Sequence, residues 1–152
     1  MARKRRRFLT GLGLVLMLAS PVSVLAVTAC QRQGKPQVID HSDLIEKLRD
    51  RGAKVESAQE DEVAQPFFSV SGRVVKVNGE DVQVFEYASP AVAEKQAALV
   101  ARDGRSVATT QVTWVATPHF FRSGKLVVLY VGDGERVLKV LEAVLGRQFA
   151  GG

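Results

Sequence analysis

Leu126-Val127-Val128-Leu129-Tyr130-Val131 is an unbroken apolar run, and it constrains the fold more than any other stretch of the chain. A strand with one wet face alternates apolar and polar residues. A run of this length with no polar break, bounded by turns, belongs to a strand buried on both faces. The turn pair Ser123-Gly124 precedes it, and a strongly amphipathic helix follows. Val137, Leu138, Leu141, Val144 and Leu145 fall at i, i+1, i+4, i+7 and i+8 before Gly146, with Asp133 as the expected cap.

The preceding residues supply the partners such a strand needs. A first helix is expected from about Ser42 to Arg51, with Asp40 or Ser42 as cap, Leu44, Ile45 and Leu48 on its apolar face, and Gly52 ending it. Ala53 to Ser57 reads as a short strand, and Ala58 to Gln65, with Glu60-Asp61-Glu62, as an acidic surface loop. Phe67 to Val70 and Arg73 to Val77 are strand-like around a Ser71-Gly72 break. Asn78-Gly79 then signals a tight hairpin, because both central positions of that turn need positive φ. The returning strand, Asp81 to Tyr87, places Val82 and Val84 on one face and Gln83, Phe85 and Tyr87 on the other.

Ser89-Pro90 opens a second helix, serine as cap and proline where its missing N–H costs nothing, with Ala93, Ala97 and Val100 inward and Gly104 as the stop. Thr110 to Ala116 is rich in strand formers with Trp114 as anchor, Pro118 marks a bulge or edge, and Phe120-Phe121 continues to the turn before Leu126. The Phe-Phe-x-x-x-Gly stretch at 67–72 is echoed by Phe120-Phe121-Arg122-Ser123-Gly124, which is either a duplicated hairpin–helix unit or similar turns recruiting similar residues. The order α-β-ββ-α-ββ-α predicts one α+β domain over residues 40–149. It would hold a single antiparallel β-sheet of four to five strands, three helices packed mainly on one face, and a partly open opposite face.

The N-terminus carries an address. Arg3-Lys4-Arg5-Arg6-Arg7 is followed by the apolar stretch Phe8 to Val27 and then Val27-Thr28-Ala29-Cys30. A cationic start, an apolar middle and small residues before a cut are the parts of a secretory signal. The last four residues resemble the bacterial lipobox, an aliphatic and two small residues before a cysteine. The resemblance implies cleavage between Ala29 and Cys30, a diacylglyceryl group on the Cys30 thiol and acylation, as by palmitate, of the new amine. Residues 1–29 would then be a removed signal peptide, and residues 30–39 the lipidated cysteine and a tether. Val27-x-Ala29 also fits an ordinary leader-peptidase site, and the apolar run, at roughly 20 residues, is long enough to remain as a membrane span. Lys4 to Leu9 additionally fits a twin-arginine export signal, or simply a basic leader start. The whole pattern of leader, lipobox, tether and one small α+β domain is similar to small bacterial lipoproteins, which implies an extracytoplasmic, lipid-anchored location in a bacterial cell envelope and no particular active site.

Charge must be counted after that cut. Of the 21 Lys and Arg, five precede Cys30, leaving 16 against 16 Asp and Glu, all of which follow it. The mature chain is formally neutral, which disfavours nucleic acid as a partner, since that needs a basic stripe to displace counterions. Cys30 is the single cysteine, so no intramolecular disulfide or thiolate metal cluster can form.

Chemistry-bearing residues are sparse. His41 and His119 lack metal-ligand spacing, and Ser71 and Ser123 are not in a nucleophile elbow. No metal, cofactor or catalytic residue is expected. The distinctive group is aromatic: Phe67, Phe68, Phe85, Tyr87, Trp114, His119, Phe120 and Phe121, with Arg122 beside them. They are either the core or a binding face on the open side of the sheet. The expected role is a non-catalytic binding or interaction module, anchored through its N-terminal lipid and engaging an envelope protein or small ligand. The alternative is a small-molecule or lipid carrier with a closed apolar pocket under the helices. An envelope hydrolase would require convergent acid and base side chains in a cleft.

Overall fold

The computed structural model of the chain describes residues 40–152, excepting the side chains of residues 57–61. Residues 1–39, with the expected signal segment, the expected cleavage site at Ala29 and Cys30, and the expected tether, lie outside the described residues. In chain order the elements are α1 (His41–Asp50), β1 (Val55–Val63), β2 (Gly72–Val77), β3 (Glu80–Glu86), α2 (Pro90–Ala97), β4 (Ser106–Val107), β5 (Thr110–Gln111), β6 (Pro118–Ser123), β7 (Leu126–Val131), α3 (Glu135–Leu145) and β8 (Ala150–Gly151).

Local chemistry starts these elements as the residues require. The Asp40 carboxylate accepts the Asp43 N–H at 3.0 Å to cap α1, and Ser89 caps α2 by accepting from Val92 N–H, with Pro90 in the first turn. Asn78 and Gly79 sit at φ 54° and 90°, the left-handed pair that a two-residue hairpin turn demands. The cap of α3 differs from expectation. Its N-cap is Gly134, without a side-chain cap, and Asp133 does not serve.

Six strands form one sheet in the order β1-β2-β3-β7-β6-β8, antiparallel at every pairing, and β4 with β5 makes a separate ribbon. The class is α+β, three helices on an antiparallel sheet. β7 lies inside the sheet, with Tyr130 opposite Val82 of β3 on one side and His119 of β6 on the other. Leu126, Val128 and Tyr130 join Val75, Val77, Val82, Val84 and Phe121 under α1 and α3. Val127 and Leu129 point the other way, into a second cluster with Phe85, Phe120 and the Ala93–Ala97 face of α2. Two helices therefore cover one face and one covers the other. Helices do lie mainly on one face, two against one, but the expected partly open opposite face is corrected, because a strand buried on both faces needs a lid on each.

The sheet also has more strands than the four or five expected. The acidity of residues 58–65 predicts a loop, yet β1 continues to Val63 as an edge strand, where one side stays in water and charge is tolerated. Its register jumps between Ser57↔Val75 and Glu62↔Arg73, a bulge that absorbs the extra residues. Ala150–Gly151 adds the short opposite edge. Conversely, Phe67–Val70 is not a strand but a turn region, with Phe68 N–H bonded to the Gln65 carbonyl at 3.1 Å. Thr110–Ala116 pairs only at Thr110–Gln111, and α2 stops at Ala97, ahead of Gly104.

Phe120 and Phe121 are fully buried on opposite faces of β6. Phe120→Ala and Phe121→Ala are each expected to cost about 3–5 kcal/mol in urea unfolding, whereas Val115→Ser, at a side chain 99% exposed, should stay within about 0.5 kcal/mol of wild type.

Candidate functional site

The aromatic residues singled out in the sequence are brought together, but as a core. Phe85 and Phe120 are fully buried, Phe68 and Tyr87 nearly so, and Phe67 and Trp114 are half-buried. Their rings link in a chain: Phe85 to Phe68 at 4.6 Å, Phe68 to Phe67 at 5.0 Å, Phe67 to Trp114 at 6.2 Å and Trp114 to Phe120 at 5.9 Å. Trp114 is pinned there by its indole N–H, which donates to the Gly104 carbonyl at 2.7 Å. Phe121 and His119 belong to the other face. The open aromatic binding face is therefore corrected: α2 and the Phe67–Phe68 and Trp114 loops cover it. The nearby cations are engaged as well, Arg122 with Glu94 at 3.7 Å and Lys125 with Glu86 at 3.1 Å.

A polar junction lies where β7 leaves the sheet for α3. The Tyr130 hydroxyl donates to the Glu80 carboxylate and accepts the Gly134 N–H at 2.8 Å. Burial, and then the Glu80 carboxylate, hold the Tyr130 phenol above its ordinary value. Gly132 and Gly134 are glycines for a steric reason, since a Cβ at either would strike the Tyr130 phenol. His119 stacks on the same ring at 5.8 Å, and its Nδ1 meets the Gln148 Oε1 at 2.7 Å, while its buried Nε2 has no hydrogen-bond partner. His41, the other histidine, starts α1; desolvation and then Arg73 lower its pKa. Among the described residues no group of three or more His, Cys, Asp or Glu is placed to hold a metal ion.

Under α1 and α3, where a carrier would hold its ligand, the described residues pack as core. Leu44, Leu48, Val137 and Leu141, fully or almost fully buried, fill that space. An open cleft of about 660 Å³ lies instead at the C-terminal end of α1. One wall is the loop from Arg51 to Lys54, the other is α3 through Arg136 and Lys139, and Asn78 of the β2–β3 turn closes one end. Ala53, Val140 and Ala143 add apolar surface to its lining. Arg136 and Lys139 are neighbours on one face of α3 because three residues make nearly a full turn.

The loop wall is fixed to the hairpin by a reciprocal pair of bonds: Lys54 N–H donates to Asn78 Oδ1 at 2.9 Å, and Asn78 N–H donates to the Lys54 carbonyl at 2.8 Å. The polar residues lining the cleft are thus two arginines, two lysines and one asparagine, with no acid among them. Reading the sequence missed this group. Arg51 and Lys54 flank a glycine with no acid between them, and Arg136 and Lys139 share a helix face, but only the fold sets the two pairs opposite each other.

Comparison with known proteins gives no match, either to a family model, to a curated protein or to a solved structure.

Two predictions test the buried phenols. Tyr130→Phe leaves the Gly134 N–H and Glu80 without their partner and should cost about 1 kcal/mol in denaturant unfolding. Burial pushes the Tyr87 phenol up to about 12 from 10.0. The folded chain then keeps a proton that the unfolded chain releases, so this stabilisation is complete below pH ~10 and is lost as pH rises through ~12. Because the Tyr87 hydroxyl is buried without a partner, Tyr87→Phe should leave stability at pH 7 nearly unchanged while flattening the alkaline loss. A pH series of unfolding curves for both chains reads this directly, and parallel curves would refute it.

Proposed function

We propose that this chain is a lipid-anchored binding module held on the outer side of a bacterial membrane. The observation that carries the reading is the N-terminal order: Arg3 to Arg7, the apolar Phe8 to Val27, and Val27-Thr28-Ala29-Cys30. Its support continues into the domain. The first described helix is capped by Asp40, so nine residues, 31 to 39, separate its start from Cys30. At ~3.5 Å per residue that segment spans at most about 30 Å, which keeps the domain beside the bilayer. A diacylglyceryl group plus a third acyl chain, at ~0.8 kcal/mol per buried methylene, anchors stably where one chain would not.

Binding is favoured over catalysis by what lines the accessible cleft. Arg51, Lys54, Arg136 and Lys139 offer charge and hydrogen-bond donors, and the cleft brings no imidazole, carboxylate, thiol or hydroxyl to them as base or nucleophile. With the aromatic group committed to the core, this cleft is the module's binding surface.

A fatty-acid probe should label the wild-type chain in growing cells, and Cys30→Ser should abolish the label. Mass spectrometry of the purified chain should find Cys30 as the modified N-terminal residue. An intact N-terminus or a free Cys30 thiol would rule the anchor out.

A further inference from the structure

The geometry points to a phosphate-binding site in the cleft between the Arg51–Lys54 loop and α3. The inference rests on the binding-module reading and gives it a ligand class, an organic phosphate. Three observations combine. The first is charge segregation: residues 40–152 carry 14 Lys and Arg against 16 Asp and Glu, yet the cleft gathers four cations and no acid. The acids nearest in sequence on α1, Glu46 and Asp50, face a different depression together with His41 and Arg49. Among the described residues, the ion pair of a cleft cation, Lys139 to Glu135 at 3.6 Å, is exposed on both sides and holds the ammonium only weakly.

The second observation is donor type. Arginine forks bind phosphate oxygens in pairs, and lysine adds a compact point charge. Arg51 and Lys54 on one wall, with Arg136 and Lys139 on the other, present both kinds of donor to a single anion, and the several oxygens of a phosphate ester use more of them than a carboxylate would. The Lys54–Asn78 bonds hold one wall in place before any ligand arrives, so less order has to be imposed on binding. The third is apolar surface. Ala53, Val140 and Ala143 line the same cleft as the cations, which suits the carbon skeleton of a phosphate ester. The chemistry is shared by a soluble phosphate ester and by the headgroup of an anionic phospholipid in the membrane. Only the second source requires the anchor, and α1, ten residues or ~15 Å long, separates the cleft from the end of the tether by less than the tether's own reach.

The test follows protection of Arg51 and Arg136 from phenylglyoxal in the full chain, mapped by mass spectrometry, with Arg49 and Arg147 as controls outside the cleft. In one arm the chain is held in neutral detergent micelles and titrated with glycerol 3-phosphate. In the other it sits in phosphatidylcholine vesicles with or without phosphatidylglycerol. Protection by glycerol 3-phosphate assigns a soluble ester, whereas protection only by phosphatidylglycerol vesicles assigns the headgroup. In either case Lys54→Gln/Lys139→Gln should weaken protection about tenfold with an unchanged melting temperature, and added salt should weaken it further. Should the double variant fold poorly, Lys139→Gln alone, at an exposed position, carries the same comparison. Equal reactivity with and without both phosphates overturns the site, as does protection that the lysine changes leave intact. The micelle arm needs no lipid on Cys30, so a chain that binds glycerol 3-phosphate without bearing lipid defeats the anchor and not the cleft.

Discussion

Every side chain from Leu126 to Tyr130 is out of water, and successive residues of a strand point to opposite faces, so both sides of the sheet have to be covered. Burying one such side chain is worth about 1.5–3 kcal/mol, so uncovering the two or three that share a face would remove a large part of the stability of a domain this size. The longer α1 and α3 cover the Leu126–Val128–Tyr130 face by themselves. The eight-residue α2, whose inward residues are the small Ala93 and Ala97, cannot do so for Val127 and Leu129. Aromatic side chains from loops complete that lid. This explains why Phe67, Phe68 and Trp114 sit outside regular strands: they pack where a helix is too short and too slim to reach.

The same strand sets the start of α3. Tyr130 is the last fully buried residue of β7, and its hydroxyl bonds the Gly134 N–H at the helix entry and the Glu80 carboxylate from the neighbouring hairpin. A phenol from the sheet thus takes a bond at the helix entry where Asp133 was expected to cap. The glycines on either side of Asp133 leave room for that ring. Sequence propensity describes a helix end by its own residues. Here the neighbouring strand supplies the group, which is why the helix was legible and its cap was not.

Elements governed by local chemistry were readable from the residues alone: the Asn78-Gly79 turn, the Asp40 and Ser89 caps, the amphipathic face of α3, and the split of Val82 and Val84 from Phe85 and Tyr87. What failed was decided by position in the sheet. An acidic stretch can be an edge strand because half of its backbone faces water, so Glu62 pairs opposite Arg73. Phe67-Phe68 and Phe120-Phe121 look alike in sequence, yet the first pair lies in a turn ahead of β2 and the second inside β6. Gly72 begins a strand, whereas the matching Gly124, at φ 54°, turns a hairpin. The two segments occupy unlike places, as similar residues recruited separately would. Six of the aromatic residues gather in one cluster while His119 and Phe121 lie on the opposite face, and whether that cluster faced water depended on α2 and two loops that no periodicity announces.

The cationic cleft was hidden for a different reason, the averaging built into a net charge. Residues 31–152, with equal numbers of acids and bases, read as featureless, but a ligand senses charge only within a Debye length, about 8 Å at physiological salt. Within such a radius the arrangement of side chains matters and the total does not. Arg51 and Arg136 are 85 positions apart in sequence and line one cleft in the fold. The same length scale limits what the cleft can hold. A duplex presents a charge every ~1.7 Å along its axis and needs a stripe of cations to track it. Four cations around one concavity match one or two phosphate groups, so the neutral composition that argued against nucleic acid is compatible with a small phosphate ligand.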